Sequence, residues 1–247
     1  MSSISRGIVC VWLCKPSLSS SSHSHSKLLS FSSLTLTPHS SSSPLKANPS
    51  MATPEGAASS SSSASASSAI DFLSLCHRLK TTKRAGWVKR DVKDPESVAD
   101  HMYRMGVMAL IAKDIPGVDR DKCIKMAIVH DIAEAIVGDI TPSDGVSKTE
   151  KSRREREALD QMCKLLGGGS RAEEIGELWM EYEQNSSPEA KIVKDFDKVE
   201  MILQALEYEN EQGKDLDEFF QSTAGKFQTE LGKAWASEIA SRRKKQE

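Results

Sequence analysis

The dipeptide His130-Asp131 closes the apolar run Met126-Ala127-Ile128-Val129, and that junction limits what the chain can fold into. A histidine and a carboxylate carried into an apolar setting cost free energy unless a partner or a metal satisfies them. Two more polar residues interrupt apolar helical patterns in the same way. They are His101, 29 residues upstream, and Asp197, which falls on a line with Ala190, Val193, Met201 and Gln204 at helical steps. Two imidazoles and two carboxylates suit a divalent cation such as Mn, Fe, Co, Ni or Zn better than a thiolate site would. Of the three histidines after residue 68 (His77, His101 and His130), two belong to this pattern.

Composition divides the chain unevenly. Residues 1–68 hold 26 serines, and no acid precedes Glu55. Such a segment has too little apolar surface to offset chain entropy, and it reads as a disordered leader. Serine-rich, weakly basic and acid-free is a transit-peptide composition. The expected address is plastid, with mitochondrial import, or a cytosolic form started at Met51, as alternatives. Residues 69–247 read as one helical domain. Beyond residue 54 the chain carries 29 basic against 35 acidic residues, a net −6, which argues against broad binding to polymeric nucleic acid. No apolar run approaches the 20 or so residues that span a bilayer. The five cysteines show no C-x-x-C spacing, and Cys76, Cys123 and Cys163 are expected as reduced, core-facing thiols.

Periodicity predicts helices throughout. The first starts at Ser68, with Ile70, Leu73, Cys76 and Leu79 as its stripe, and residues 81–93 read as a loop. Asp94-Pro95 predicts a helix start with proline at the first position; this helix runs to Lys113 and carries His101. Asp119 caps the next, 120–137, ended by Gly138. Ser147 opens one that stops at Gly167-Gly168-Gly169, and its Glu/Arg-rich stretch 150–157 is expected as a solvated face. Helices over 171–184, from Ser187-Pro188, and over 215–223 and 227–245 complete the count, with Arg242–Lys245 as a solvated helix end.

The order His101…His130-Asp131…Asp197 resembles the metal signature of the HD-domain phosphohydrolases, which are all-helical bundles. Further phrases narrow the likeness to the 5′-deoxynucleotidase branch: Gly86-Trp87, Pro95–His101, His130–Asp139 and Asp195-Phe196-Asp197. The likeness covers about 70–245. It implies that His101, His130, Asp131 and Asp197 bind one divalent cation (Mn, Co, Mg, Fe, Ni or Zn) and that Glu134 is the essential acid. Asp139 matches an acid near the sugar, and Trp87 an aromatic shaping the sugar pocket. The alternative the resemblance leaves open for this subtype is that Glu134, Asp139 and the Ile140 carbonyl hold a second ion instead. The likeness also implies a homodimer. Bacterial relatives have arginine directly before the tryptophan where this chain has Gly86, so phosphate recognition falls to Arg84, Arg104 or Lys148.

The expected activity is hydrolysis of deoxyribonucleoside 5′-monophosphates to deoxynucleoside and phosphate, with no nucleic-acid polymer or membrane as partner. Two rivals remain. One is an HD-type phosphodiesterase or nucleoside-polyphosphate hydrolase. The other is a non-enzymatic helical adaptor with a structural metal, for which an acid one turn from the ligand pair has no use.

Overall fold

The structure, a computed structural model, describes residues 65–244. The expected leader lies, up to residue 64, outside the described residues. Those described are helical, with a single isolated antiparallel bridge between Lys83 and Ser97. No described helix is long and apolar enough to cross a membrane.

Helix α1 (Ala66–Cys76) starts three residues before the expected cap region ends, because Ser65 rather than Ser68 caps it: the Ser68 amide donates to Ser65 Oγ. Its stripe also differs. Ile70 and Leu73 face water and Phe72 is buried in their place, while Leu79 is buried as expected, in the 3-10 turn His77–Lys80 that follows. The expected loop contains a helical turn, α2 (Ala85–Val88), which carries Trp87 inward. Helix α3 (Val98–Ile111) begins after Pro95, not at it, since Ser97 and Asp100 form a capping box that satisfies both orphan amides. Its two expected stripes hold: Val98, His101, Met102, Met105, Met108 and Ala109 are buried.

Asp119 caps α4 (Arg120–Val129) as expected, but the helix does not continue to 137. His130 Nδ1 takes the Ala127 carbonyl at 2.9 Å, the acceptor a continuing helix would give to residue 131. A side chain inserted into the ladder bends a helix. The chain turns tightly through residues 130–133, with Ile132 N to Val129 O and Glu134 N to Asp131 O bonds, before the short α5 (Glu134–Val137), which ends at Gly138 with φ 75°. Ser147 caps α6 (Lys148–Leu165). Helices α7 (Gly169–Gln184), α8 (Pro188–Gln212), α9 (Asp217–Thr223) and α10 (Glu230–Lys244) follow.

Helix α8 is the axis. Helices α3, α4, α7 and α10 pack on it around Met105, Met126, Val193 and Phe196. A second apolar cluster joins α1, α3, α6 and α7 through Phe72, Val98, Met162 and Trp179. A third seats Trp87 against Tyr208 and Leu216. Cys123 is buried, Cys76 and Cys163 are half-buried, and all three are free. Arg243 departs from the expected solvated end: it bonds Glu209 and Asp217 and lies 4.1 Å over the Phe220 ring.

Asp195, of the Asp195-Phe196-Asp197 phrase, turns away from Asp197. It is fully buried and accepts from Gln228 N, Thr229 N and Thr229 Oγ1 at 2.7–2.9 Å through Oδ2, fixing the entry to α10. A Cβ on Gly232 would lie 2.6 Å from Asp195 Oδ2. Asp195→Ala and Gly232→Ala are each expected to cost about 3 kcal/mol, the range for losing charge-assisted bonds and stranding buried donors. Urea unfolding checks this, and a loss below about 1 kcal/mol in both contradicts the anchoring role.

Candidate metal centre

Three elements bring the four interrupting residues together. His101 comes from the first turn of α3, His130 and Asp131 from the tight turn after α4, and Asp197 from the third turn of α8. His101 Nε2 lies 3.3 Å from Asp197 Oδ1 and 3.9 Å from Asp131 Oδ2, and His130 Nε2 lies 3.2 Å from the same Asp131 oxygen. His101, His130 and Asp131 can offer ligand atoms all within 4.8 Å of one another.

Each imidazole is held by its other nitrogen. His101 Nδ1 meets Glu200 Oε2 at 2.6 Å, and His130 Nδ1 meets the Ala127 carbonyl. Tyr182 donates to Asp197 Oδ2 at 2.9 Å, and its ring lies 4.9 Å from that of His130. Both Nε2 atoms are buried without a hydrogen-bond partner. Orphaned imidazole nitrogens are costly in a native core, and two of them facing two carboxylates are the donor set a divalent cation accepts, with the far-side bonds that orient ligating histidines. The residues therefore fit the cation.

The electrostatics agree. Burial and Arg84 both work to lower the His101 pKa, yet Glu200 and Asp197 hold it up at about 9. Burial works to raise Asp131 and Asp197, yet the imidazoles and Arg84 hold both below the usual carboxylate range. Glu134 goes the other way: burial first, then Asp131 and Asp139, push it well above the ordinary glutamate value.

His130, Asp131, Glu134, Asp197 and Arg84 line an open cavity of about 590 Å³, and the wholly buried His101 lies behind them, off its lining. Glu134 and Asp131 share one side of it. The tight turn, rather than a continuous helix joining His130 to Glu134, brings them together, since residues three apart eclipse in 3-10 winding. Asp139 accepts from Ala85 N at 2.7 Å, tying the cavity wall to α2. Ile140 and Lys148 lie on the lining. Arg84 reaches Asp131 at 3.4 Å and Asp197 at 3.9 Å, aimed there because the bridge at Lys83–Ser97 pins its backbone beside the start of α3. Trp87 is buried, its indole N–H committed to Glu96 at 2.8 Å, and only part of the ring borders the cavity.

Arg104 is not in the cavity. It bonds Glu200, Gln204 and Glu207 on the far side of His101, because α3 points residues 101 and 104 to Glu200 from two directions. Sequence reasoning also missed Glu200, Tyr182, Lys151, Glu155 and Phe219. Glu200 and Phe219 carried no readable signal, whereas Lys151 and Glu155 lie four residues apart in the supposedly solvated stretch. Gly86 has its own reason: a Cβ there would sit 3.2 Å from Phe219 Cε1, whose ring is 4.3 Å from that of Trp87.

An all-helical bundle that gathers His, His-Asp and Asp from separate helices beside a buried acid defines a class of metal-dependent hydrolases. The HD-domain family profile matches residues 76–240, and the chain belongs to the HD-domain family. It is 56% identical to 5′-deoxynucleotidase HDDC2 of Danio rerio over 160 residues, 64% of this chain and 79% of that protein. The human protein of the same name is 54% identical over 162 residues, 65% of this chain and 78% of that one. The 5′-deoxynucleotidase hdd1 of Schizosaccharomyces pombe is 48% identical over 182 residues, 71% and 90% of the respective chains. A crystal structure of a Pyrococcus horikoshii protein superimposes with a TM-score of 0.58 at 36% identity, over 70% of this chain and 96% of that one.

Ligating histidines are neutral, so His101 would have to give up the proton that Glu200 and Asp197 favour on it before it could serve a divalent cation. Binding therefore releases protons, and apparent affinity is expected to fall as pH drops below the His101 value, by up to about tenfold per pH unit. Calorimetric metal titrations in buffers of different ionisation heat check this. Equal affinity at about pH 6 and pH 8 contradicts it.

Proposed function

We propose that this chain hydrolyses deoxyribonucleoside 5′-monophosphates to deoxynucleoside and phosphate, with His101, His130, Asp131 and Asp197 holding a divalent cation. The observation that carries this reading is the pair of buried, partnerless Nε2 atoms facing Asp131 and Asp197, with Glu134 in the same cavity. Relatives named 5′-deoxynucleotidase, at 48–56% identity, give the substrate class. Two imidazoles and two carboxylates suit Mn, Fe, Co, Ni or Zn. When bound, such a cation supplies a Lewis acid for the phosphoryl oxygens.

The chain's own residues do the rest. Glu134 Oε2 is buried and without a hydrogen-bond partner. Burial and the neighbouring Asp131 and Asp139 raise its proton affinity above that of an ordinary glutamate, which suits a group that takes the proton of an attacking water. Arg84, a planar fork beside Asp131 and Asp197, is the phosphate-recognising cation, with Lys148 at the rim. Asp139 and the Trp87 edge bound the sugar side. In an alternative arrangement Glu134, Asp139 and the Ile140 carbonyl hold a second ion in place of the proton-taking role of Glu134, and the crowding of Asp131 and Asp139 against Glu134 is what supports it.

Residues 1–68 act, on composition, as a plastid address, and a fluorescent fusion that stays cytosolic refutes it. A homodimer is supported by the exposed apolar stripe of Tyr103, Leu110, Ile111 and Ile128. Sedimentation of a monomer at micromolar concentration removes that proposal.

His130→Ala and Asp197→Ala are each expected to lose metal and activity together, because an incomplete ligand set leaves a weak site. Glu134→Gln is expected to keep fold and primary metal and lose about 10²–10⁴-fold in turnover. Metal analysis and phosphate release from deoxy- and ribonucleoside mono-, di- and triphosphates, on the same preparations, decide. Full metal occupancy in either ligand variant, or triphosphates as the preferred substrates, sinks the reading.

A further inference from the structure

The Glu/Arg-rich stretch 150–157 has two sides. Glu150, Arg153, Arg154 and Glu157 pair with one another toward solvent. Lys151 and Glu155, one turn apart on α6, face the other way and line the cavity. Lys151 Nζ lies 3.3 Å from Glu155 Oε1 and 3.8 Å from Glu134 Oε1. The Glu134 and Glu155 side chains are 1% and 9% exposed, and Lys151, at 34%, enters from the rim.

We infer that Lys151 is a positioning residue for Glu134: an ionic bridge Glu155–Lys151–Glu134 holds the Glu134 carboxylate at its working position. This rests on the reading of Glu134 as the proton-handling acid. The contacts divide the carboxylate in two. Oε1 faces the ammonium, and Oε2, buried and without a partner, is left for a proton. The ammonium is needed because Glu134 shares the cavity with Asp131 and Asp139, and like charges in a poorly solvated site repel strongly. Arg84 also eases the Glu134 charge through space, but its close contacts are to Asp131 and Asp197, which leaves Lys151 as the cation that touches Glu134. Glu155 is the tether: at 3.3 Å from Nζ, it fixes a flexible four-carbon stem that would otherwise swing to water. At 3.8 Å, the Lys151–Glu134 contact is longer than a hydrogen bond. It therefore acts through charge and place rather than by passing a proton.

Lys151→Met keeps the apolar stem and removes the charge, and the half-exposed position lets the variant fold. With dAMP as substrate, kcat is expected to fall about tenfold or more, a part of what the acid contributes. KM and bound metal are expected to stay within about twofold of wild type, since its ion pairs are to Glu134 and Glu155 and to none of the four metal-binding residues. Lys151→Arg is expected to recover most of kcat, and Glu155→Gln to reproduce a milder form of the defect. In a Glu134→Gln background, Lys151→Met is expected to add nothing, because a positioning residue acts only through its target. A raised KM with unchanged kcat makes Lys151 a phosphate ligand and overturns the inference, as does full kcat, loss of metal or an additive double variant. Undiminished turnover in Glu134→Gln alone is a different result, and removes the reading of Glu134 instead.

Discussion

Glu200 is wholly buried, and a carboxylate shut away from water must be met by donors or cations. Burial works to raise its pKa, yet His101 and Arg104 hold it below the usual carboxylate range. One oxygen takes His101 Nδ1 at 2.6 Å and the other takes Arg104 Nε at 2.8 Å. That pair locks α3 to α8, so His101 cannot rotate without stranding a buried charge. Its Nε2 then has one direction left, toward Asp131 and Asp197. The distances within the cluster depend on this contact, because Asp197 lies less than one helical turn before Glu200 on the same helix.

The turn at His130–Ala133 is the second constraint. A straight α4 would keep His130, Asp131 and Glu134 on one side of the helix, within about 100° of the barrel. Capture of the Ala127 carbonyl by His130 Nδ1 replaces that with a tight turn, and the imidazole that faces the other ligands is the same group that bends the chain. Local structure and site are here one interaction.

What could be read from the sequence follows from the range of the forces involved. Asp119, Ser147 and Ser187 cap helices through bonds to amides three residues on, and Gly138 ends one through its own positive φ. Such signals are local and were legible. The four interrupting residues were legible too, because a buried polar group is anomalous whatever its partner. Pro95 misled because the capping box at Ser97 and Asp100 competes with it, and Ile70 and Leu73 because an end helix buries only one narrow side. Arg104 read as a phosphate-recognition candidate, and Lys151 and Arg243 as solvated surface cations. What they do is set by carboxylates 96, 17 and 34 residues away, and no period or motif records that distance.

Gly86 and Phe219 have a consequence for how the pocket tolerates change. The ring edge of Phe219 sits where a side chain at position 86 would begin, and it also leans on Trp87. A side chain at 86 would need the Phe219 ring to give by a few tenths of an ångström. The two positions, 133 residues apart, are therefore coupled through one ring edge, and the size tolerated at either depends on the other.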